Sequence, residues 1–467
     1  MSFAPPCGAQ SDFFNKECIM KLVSVILAAG YGTRMRSKLP KMLHPLAGKP
    51  LVMFAIEAVN GVSEQKPVVV VGHGEDIVRQ AVGDAARFAV QEKQLGTAHA
   101  LMSAESQVAG TCDLVVVTYA DMPLLKAETI SHLIEMQKEN SGPITLLTVE
   151  LPDPHGFGRV LRAADGSVTA IVEEAVATPE QLAVRELNAS AYCFRSDWLW
   201  PALKRIQVSP KGEYYLTDIV EIAVQDGLKV QAYKTEDPTE AVGINNRVHL
   251  AEAEGILRQR INTVHMLAGV SMIDPSTTYI EAGVQIGRDT VIWPNTYIRG
   301  KTVIGEGCVL GPNAIIEDCQ IGNEVTILAA VMEKAVLDDG SEIGPFGHLR
   351  KGAHLGVGVH MGNFGEVKNS YLGPGTKMGH FSYIGDAMIG ENVNIGCGTI
   401  TCNYDGEHKH KTEIGSEVFI GSDTMLVAPL KIGEGARTGA GAVVTHDVPP
   451  HTTVVGVPAR PFSKKSE

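Results

Sequence analysis

The densest chemistry in this chain follows its first aliphatic run. Residues 22–28 (LVSVILA) lead into Leu27-Ala28-Ala29-Gly30-Tyr31-Gly32-Thr33-Arg34-Met35, and Leu39-Pro40-Lys41 comes soon after. A glycine-rich turn after a strand exposes backbone N–H groups that can cradle phosphate oxygens. The turn is not a Walker A loop, since no G-x-x-x-x-G-K-[ST] is present. Nor does it fit the dinucleotide pattern, because Met35 stands where the third glycine belongs. G-x-G alone is equally consistent with a mere tight turn. A fixed cation on each side, Arg34 and Lys41, changes that balance and suits a triphosphate.

A second constellation lies far downstream. Arg350, Lys368, His380, Tyr383, Asn394, Asn403 and Tyr404 are polar or aromatic residues embedded in a stretch of otherwise short side chains. Residues 401–411 (TCNYDGEHKHK) break the surrounding rhythm and read as a projecting loop, the kind of insertion that commonly carries function. Taken alone, His380 reads as a surface histidine. Inside this cluster that balance reverses, and it reads as part of a functional site.

The elements that must hold these residues follow two grammars. In the C-terminal half, Ile286, Ile292, Ile298, Ile304, Leu310 and Ile316 sit six apart. Small or β-branched residues (Thr290, Thr296, Thr302, Cys308, Ala314) recur four residues later. A six-residue period is neither helical nor simply alternating, and marks a β-solenoid in which three hexads make one coil. Glycine often follows the aliphatic, as at 287, 305, 311, 344, 362, 373 and 415, and a positive φ at the corners is the expected reason. The N-terminal half instead alternates short aliphatic runs (22–28, 68–71, 114–117) with helical patterns near 50–59, 75–82 and 97–106. That predicts an α/β domain with a largely parallel sheet. Segments 144–149 and 168–172 look like antiparallel additions, and 246–267 is expected to be a linking helix. The expected organisation is a disordered extension at 1–19, an α/β domain at 20–245, the helix at 246–267 and the solenoid at 268–467. The tail after about residue 449 leaves the period and is expected to pack loosely.

Composition narrows the function. A formal net charge of −13 over 467 residues argues against nucleic-acid binding. No apolar run approaches the roughly 18 residues that span a membrane, and residues 1–19 do not read as a signal peptide. Eight scattered cysteines without a C-x-x-C pair fit reduced thiols in a cytoplasm.

The L-x-x-G-x-G-T-R-M run with Pro40-Lys41 resembles the signature of the sugar-1-phosphate nucleotidyltransferases. Joined to hexapeptide repeats, it resembles the bifunctional bacterial family that acetylates glucosamine 1-phosphate and then uridylylates N-acetylglucosamine 1-phosphate. The resemblance runs from Met20 onward. It implies a Rossmann-like nucleotidyltransferase domain followed by a left-handed parallel β-helix, a homotrimer with acetyl-transfer sites between chains, and Mg²⁺, UTP and acetyl-coenzyme A as cofactor and co-substrates.

It also implies roles. Leu27, Ala28, Ala29, Gly30, Arg34, Lys41, Gln91, Gly96, Thr97, Tyr119, Ala120 and Asp121 fall at nucleotide contacts. Gly158, Glu173 and Asn188 fall at sugar contacts, and Asp121 and Asn245 match the magnesium ligands. His380 matches the general base. Arg350, Lys368, Tyr383 and Asn394 match the glucosamine-phosphate site, and Cys397, Asn403, Tyr404, Ser422 and Ala440 the acetyl-coenzyme A site. Ala120 replaces a more usual glycine, Cys397 an alanine and His348 an arginine. Val457 stands where an arginine often meets the coenzyme phosphates, and Arg460 is its expected substitute. Two other readings stay open: a nucleotidyltransferase with a purely structural solenoid, and a solenoid metal hydratase using histidines 348, 354, 360 and 380.

Overall fold

The computed structural model describes residues 20–462; the extension expected at 1–19 lies outside them. The chain divides into two compact units between Ala253 and Glu254.

In the first unit, seven strands run in the order Val230–Lys234, Ile144–Glu150, Glu186–Arg195, Leu114–Tyr119, Leu22–Leu27, Val68–Val71, Arg87–Val90. Neighbours are parallel except around Glu186–Arg195, which is antiparallel to both of its neighbours. Ile144–Glu150 is therefore antiparallel on one side only; its other neighbour, Val230–Lys234, is parallel to it. Arg159–Arg162 and Val168–Val172 form an antiparallel hairpin that joins through Arg159 and Leu187. Successive strand residues enter opposite cores: Val23, Val25 and Leu27 one, Ile26, Val69 and Val71 the other. Aliphatic residues on both faces are what a sheet covered on both sides requires. The expected helices are present as Leu51–Asn60, Glu75–Val82 and Thr97–Met102. Leu22–Leu27 and Leu114–Tyr119 are neighbours, so the turns that follow them open at one edge, where α/β sheets place ligands.

Arg247–Leu267 is a helix, as the spacing predicted. Beyond it, three parallel sheets of short strands stack into a prism, the left-handed parallel β-helix of hexapeptide repeats. Ile292 pairs with Leu310 and Ile343 with Met361, an advance of 18 residues, or three hexads, per coil. The aliphatics (Ile292, Ile298, Leu310, Ile316) and the small residues four later (Thr290, Thr296, Thr302, Cys308, Ala314) are all fully buried. The buried threonine hydroxyls are satisfied by nearby carbonyls, Thr296 on Trp293 at 2.7 Å and Thr302 on Arg299 at 2.6 Å.

Two expectations need correction. Most glycines after the aliphatic do not have positive φ; Gly311 and Gly344 do, whereas the left-handed corners fall at residues such as Asp289, Asn295, Gly300 and Gly307. Close approach between coils is the reason instead. A Cβ at Gly362 would lie 2.0 Å from the Gly379 carbonyl oxygen, and one at Gly287 would lie 2.6 Å from the Gly305 backbone. The tail is also more ordered than expected. Thr453–Val455 extends one sheet in parallel, and Arg460–Pro461 returns antiparallel to it.

Candidate active sites

Four side chains from three segments converge at the open edge of the first unit. Lys41 Nζ lies 2.6 Å from Asp121 Oδ2 and 3.3 Å from Asn245 Oδ1, and Arg34 Nη2 donates to the same Asn245 oxygen at 2.9 Å. The Lys41 side chain is mostly buried and that of Asp121 about a quarter exposed. The turn that delivers Arg34 needs Gly32: its φ is +61, and a Cβ there would strike Lys41 Cβ at 2.6 Å. Leu27, Ala28 and Ala29 are buried, while Gly30 is exposed where the loop opens. Ala120, also buried, bonds its N–H to the Leu27 carbonyl, so the methyl that replaces a hydrogen is accommodated. Ile244 donates to the Asp121 carbonyl at 2.8 Å, which sets Asn245 beside Asp121.

Gln91 is buried; its Nε2 donates to the Gly96 carbonyl at 3.1 Å and lies 3.0 Å from His99 Nδ1. Gly96 has φ +105 and passes so close to Tyr214 that a Cβ would sit 2.5 Å from its oxygen. Thr97 Oγ1 accepts from Leu216 N–H at 2.9 Å. Burial pushes the Tyr119 hydroxyl far above its ordinary range, against the pull of its hydrogen bond with Thr97. The residues expected at the sugar form an adjoining cluster. Asn188 N–H bonds the Gly158 carbonyl at 2.9 Å. Glu173 Oε1 accepts from Thr217 Oγ1 at 3.0 Å. Burial raises the Glu173 carboxyl, and Asp218 beside it is pushed up to about 6 by burial, then by Glu221 and Glu173.

On the β-helix the residues fall into two columns. Strand register puts Met378 beside Ile395, Ile395 beside Ile420 and Ile420 beside Thr438. Two residues on, His380, Cys397, Ser422 and Ala440 therefore climb one corner, a coil apart. Asn394 lies just ahead of Cys397 on the adjoining face, and His380 is exposed. The second column climbs the far corner of the next face. Arg350 and Lys368 occupy equivalent places there, since Leu349 pairs with Val367, and Lys368 pairs with Gly385. Tyr383 sits between the columns; its hydroxyl would lie 2.4 Å from a Cβ on Gly385, with Asn403 Nδ2 at 2.8 Å. Asn403 also donates to Asp386 at 2.6 Å, and Arg350 donates to Glu366 at 2.9 Å.

The inserted loop begins at Asn403, because Ile400–Cys402 still belongs to a strand. Its tip is a small hairpin in which Tyr404, exposed, bridges Lys409, and Asp405 accepts from the N–H groups of Glu407 and His408. This brings Lys409 against Lys368. Lys409 first, then desolvation and Arg350, push the Lys368 ammonium below its ordinary range, as neighbouring like charges do. Arg460 stands apart, donating to the Ala459 carbonyl four strands beyond Asn394 on the same face. Val457 is largely exposed.

Residues 24–181 match the family model described as a MobA-like NTP transferase domain, and 411–446 match the hexapeptide repeat of succinyl-transferase. Relatives match along nearly the whole chain. A Streptococcus agalactiae serotype V protein named Bifunctional protein GlmU is 43% identical over 438 residues, covering 94% of this chain and 95% of that one. Its namesake from Syntrophomonas wolfei is 45% identical, covering 93% and 97%, and that from Shouchella clausii 44%, covering 91% and 94%.

The chain belongs to the bifunctional GlmU family.

Membership of the GlmU family stands against the metal hydratase reading, and within one chain its histidines do not converge. His348, His354 and His360 lie on the three different sheets of the prism, where His354 pairs with Asp338 and His360 with Glu342. No group of three or more His, Cys, Asp or Glu among the described residues could hold a metal ion. Sequence reasoning passed over Lys409, whose only signal was the run of basic residues and histidines in the loop. It also passed over Thr217 and Tyr192, which carried no signal. No helix among the described residues is long and apolar enough to cross a membrane.

Proposed function

We infer that the β-helix acetylates glucosamine 1-phosphate from acetyl-coenzyme A, and that the first unit then transfers uridylyl from UTP to N-acetylglucosamine 1-phosphate, releasing pyrophosphate. The observation that carries the second step is the convergence of Arg34, Lys41, Asp121 and Asn245 on one point. A polyanionic nucleotide repels a sugar phosphate, so the main task is offsetting charge and fixing alignment. Arg34 and Lys41 do the first as the sugar-phosphate oxygen attacks the α-phosphorus and the bond to pyrophosphate breaks. Gln91, Gly96 and Thr97 hold the base, and Gly158, Glu173 and Asn188 hold the sugar.

Asp121 and Asn245 fit a magnesium ion. They offer a carboxylate and an amide oxygen, hard donors already turned toward a cation, the Lys41 ammonium, and too few to form a cage without phosphates and water. When bound, the ion would add charge stabilisation and a template for the phosphates.

In acetyl transfer, Arg350, Lys368 and Lys409 hold the sugar phosphate. His380 takes the proton from the amine as its nitrogen bonds the thioester carbonyl carbon and the coenzyme leaves as the thiol. Cys397, Ser422 and Ala440, stacked above His380, suit an extended coenzyme lying along that corner, with Asn403, Tyr404 and Arg460 as further contacts.

The His380 corner and the Lys368 corner are five residues apart along one face, roughly 16 Å of extended chain. Side chains reaching inward from both corners narrow that span. The hexapeptide repeats support a homotrimer, and sites between its chains would draw on both corners.

The test is mass spectrometry of products from the full chain with glucosamine 1-phosphate, acetyl-coenzyme A, UTP and Mg²⁺. Omitting acetyl-coenzyme A should abolish both products, and omitting UTP should leave N-acetylglucosamine 1-phosphate. Nucleotide-sugar formation only from supplied N-acetylglucosamine 1-phosphate would favour a structural β-helix.

A further inference from the structure

Strand Glu186–Arg195 is deformed beside the sugar cluster. Asn188 pairs with Thr148 and Tyr192 with Leu146, so a four-residue step on one strand faces a two-residue step on its neighbour. Ser190, in the middle, has φ +55, a conformation that non-glycine residues rarely adopt. Bulges near active sites characteristically re-aim a side chain, and here the geometry shows which one. On a regular strand, residues four apart are separated by roughly 13 Å; a two-residue span is about 7 Å. The shortening lets Asn188 Nδ2 donate to the Tyr192 hydroxyl at 2.7 Å and folds the Ser190 N–H onto Asn188 Oδ1 at 3.2 Å.

The two bonds select one orientation of the amide. The Ser190 N–H can only donate, so the amide oxygen must face it, and the nitrogen is left for Tyr192. One amide proton and one oxygen lone pair of Asn188 remain for a ligand. Tyr192 itself is fully buried, its ring stacked on Phe194 at 5.6 Å between centroids. It has no direct access to substrate and acts through Asn188.

Resting on the reading of Asn188 as a sugar contact, we propose that Tyr192 and the Ser190 bulge are a positioning device that locks the Asn188 amide and sets the affinity for N-acetylglucosamine 1-phosphate. Tyr192→Phe keeps the packed ring and removes only the hydroxyl. The freed amide then turns, and its nitrogen loses a buried partner.

The experiment measures uridylyl transfer by the full chain and by the variants Asn188→Ala, Tyr192→Phe and the double substitution, each checked to be fully folded at the assay temperature. Tyr192→Phe is expected to raise the KM for N-acetylglucosamine 1-phosphate about ten-fold, with kcat and the KM for UTP within about two-fold of wild type. In the Asn188→Ala background it should add nothing, the mark of a pair acting as one. An Asn188→Ala variant with an unchanged sugar KM would overturn the sugar-contact reading and the proposal with it. If Asn188→Ala raises that KM and Tyr192→Phe does not, or if both effects simply add, the positioning role alone is overturned. Ser190→Val, whose β-branched side chain resists positive φ, gives an independent arm: it should raise the same KM, and a wild-type value would contradict a role for the bulge.

Discussion

Lys41 reaches two oxygens at once, Asp121 Oδ2 and Asn245 Oδ1, and Arg34 shares the second. On the proposed reading, removing it takes one of two cations from a site where charge must be offset as pyrophosphate leaves. Lys41→Ala should lower kcat for uridylyl transfer by about 10²-fold or more, leaving acetyl transfer at the wild-type rate, as parallel assays of the two half-reactions would show. The β-helix offers a matching case. Lys409 and, more weakly, Arg350 disfavour the Lys368 ammonium, a repulsion that a bound phosphate would relieve. Lys409→Ala is accordingly expected to raise the KM for glucosamine 1-phosphate about ten-fold, read from initial rates at fixed acetyl-coenzyme A. At this scale the sequence was informative where residue type and motif coincide, as in Thr33-Arg34 and Pro40-Lys41. It was silent on Lys409, because a loop hairpin and not a periodic position brings that ammonium to Lys368.

Among the elements, the short turn Pro238–Ala241 does the aligning that motifs do not reveal. Glu240, buried, accepts from the Lys126 N–H at 2.9 Å and from Thr129 Oγ1 at 2.9 Å, and Asp237 pairs with Lys126 Nζ at 2.6 Å. These bonds tie the turn leading to Asn245 to the start of helix Ala127–Glu139, which follows Asp121. Glu240→Ala strands a half-buried N–H and a buried hydroxyl, and should destabilise the first unit by about 2 kcal/mol, measured by urea unfolding. For Asp237, partial burial opposes ionisation, but hydrogen bonds from Lys126 and Thr239 outweigh it and hold the carboxyl down to about 2. A depressed carboxyl stabilises the fold above its ordinary titration near 3.8 and loses that contribution as pH falls toward 2. Asp237→Asn should therefore flatten the stability loss between these pH values by on the order of 1 kcal/mol, allowing for solvent screening. The hexad beat made the β-helix legible because an identical demand recurs in every coil. The glycines within it were legible as a pattern and misread in cause, since a clash with the next coil leaves the same mark in sequence as a left-handed turn. Strand Glu186–Arg195 was missed, because its mixed sequence and bulge give neither an aliphatic run nor a clean alternation.

For the whole molecule, the two chemistries as proposed use residue sets that share no member, and the acetyl-transfer set is split between two corners of one prism. If a site takes His380 from one chain and Lys368 from another, mixing and reassembling inactive His380→Ala and Lys368→Ala chains should restore about a quarter of the sites. No recovery after subunit exchange would place both residues in the same chain's site. The order of the α/β unit before the β-helix was plain from the change of period alone, whereas the span between the corners needed the strand register. The division of labour is tested most directly by supplying all four reactants to His380→Ala and Lys41→Ala chains and weighing the products. The account predicts that His380→Ala makes nucleotide sugar only when N-acetylglucosamine 1-phosphate is added, and that Lys41→Ala accumulates N-acetylglucosamine 1-phosphate. A His380→Ala chain that still acetylates glucosamine 1-phosphate, or a Lys41→Ala chain that still makes nucleotide sugar at the full rate, would contradict it.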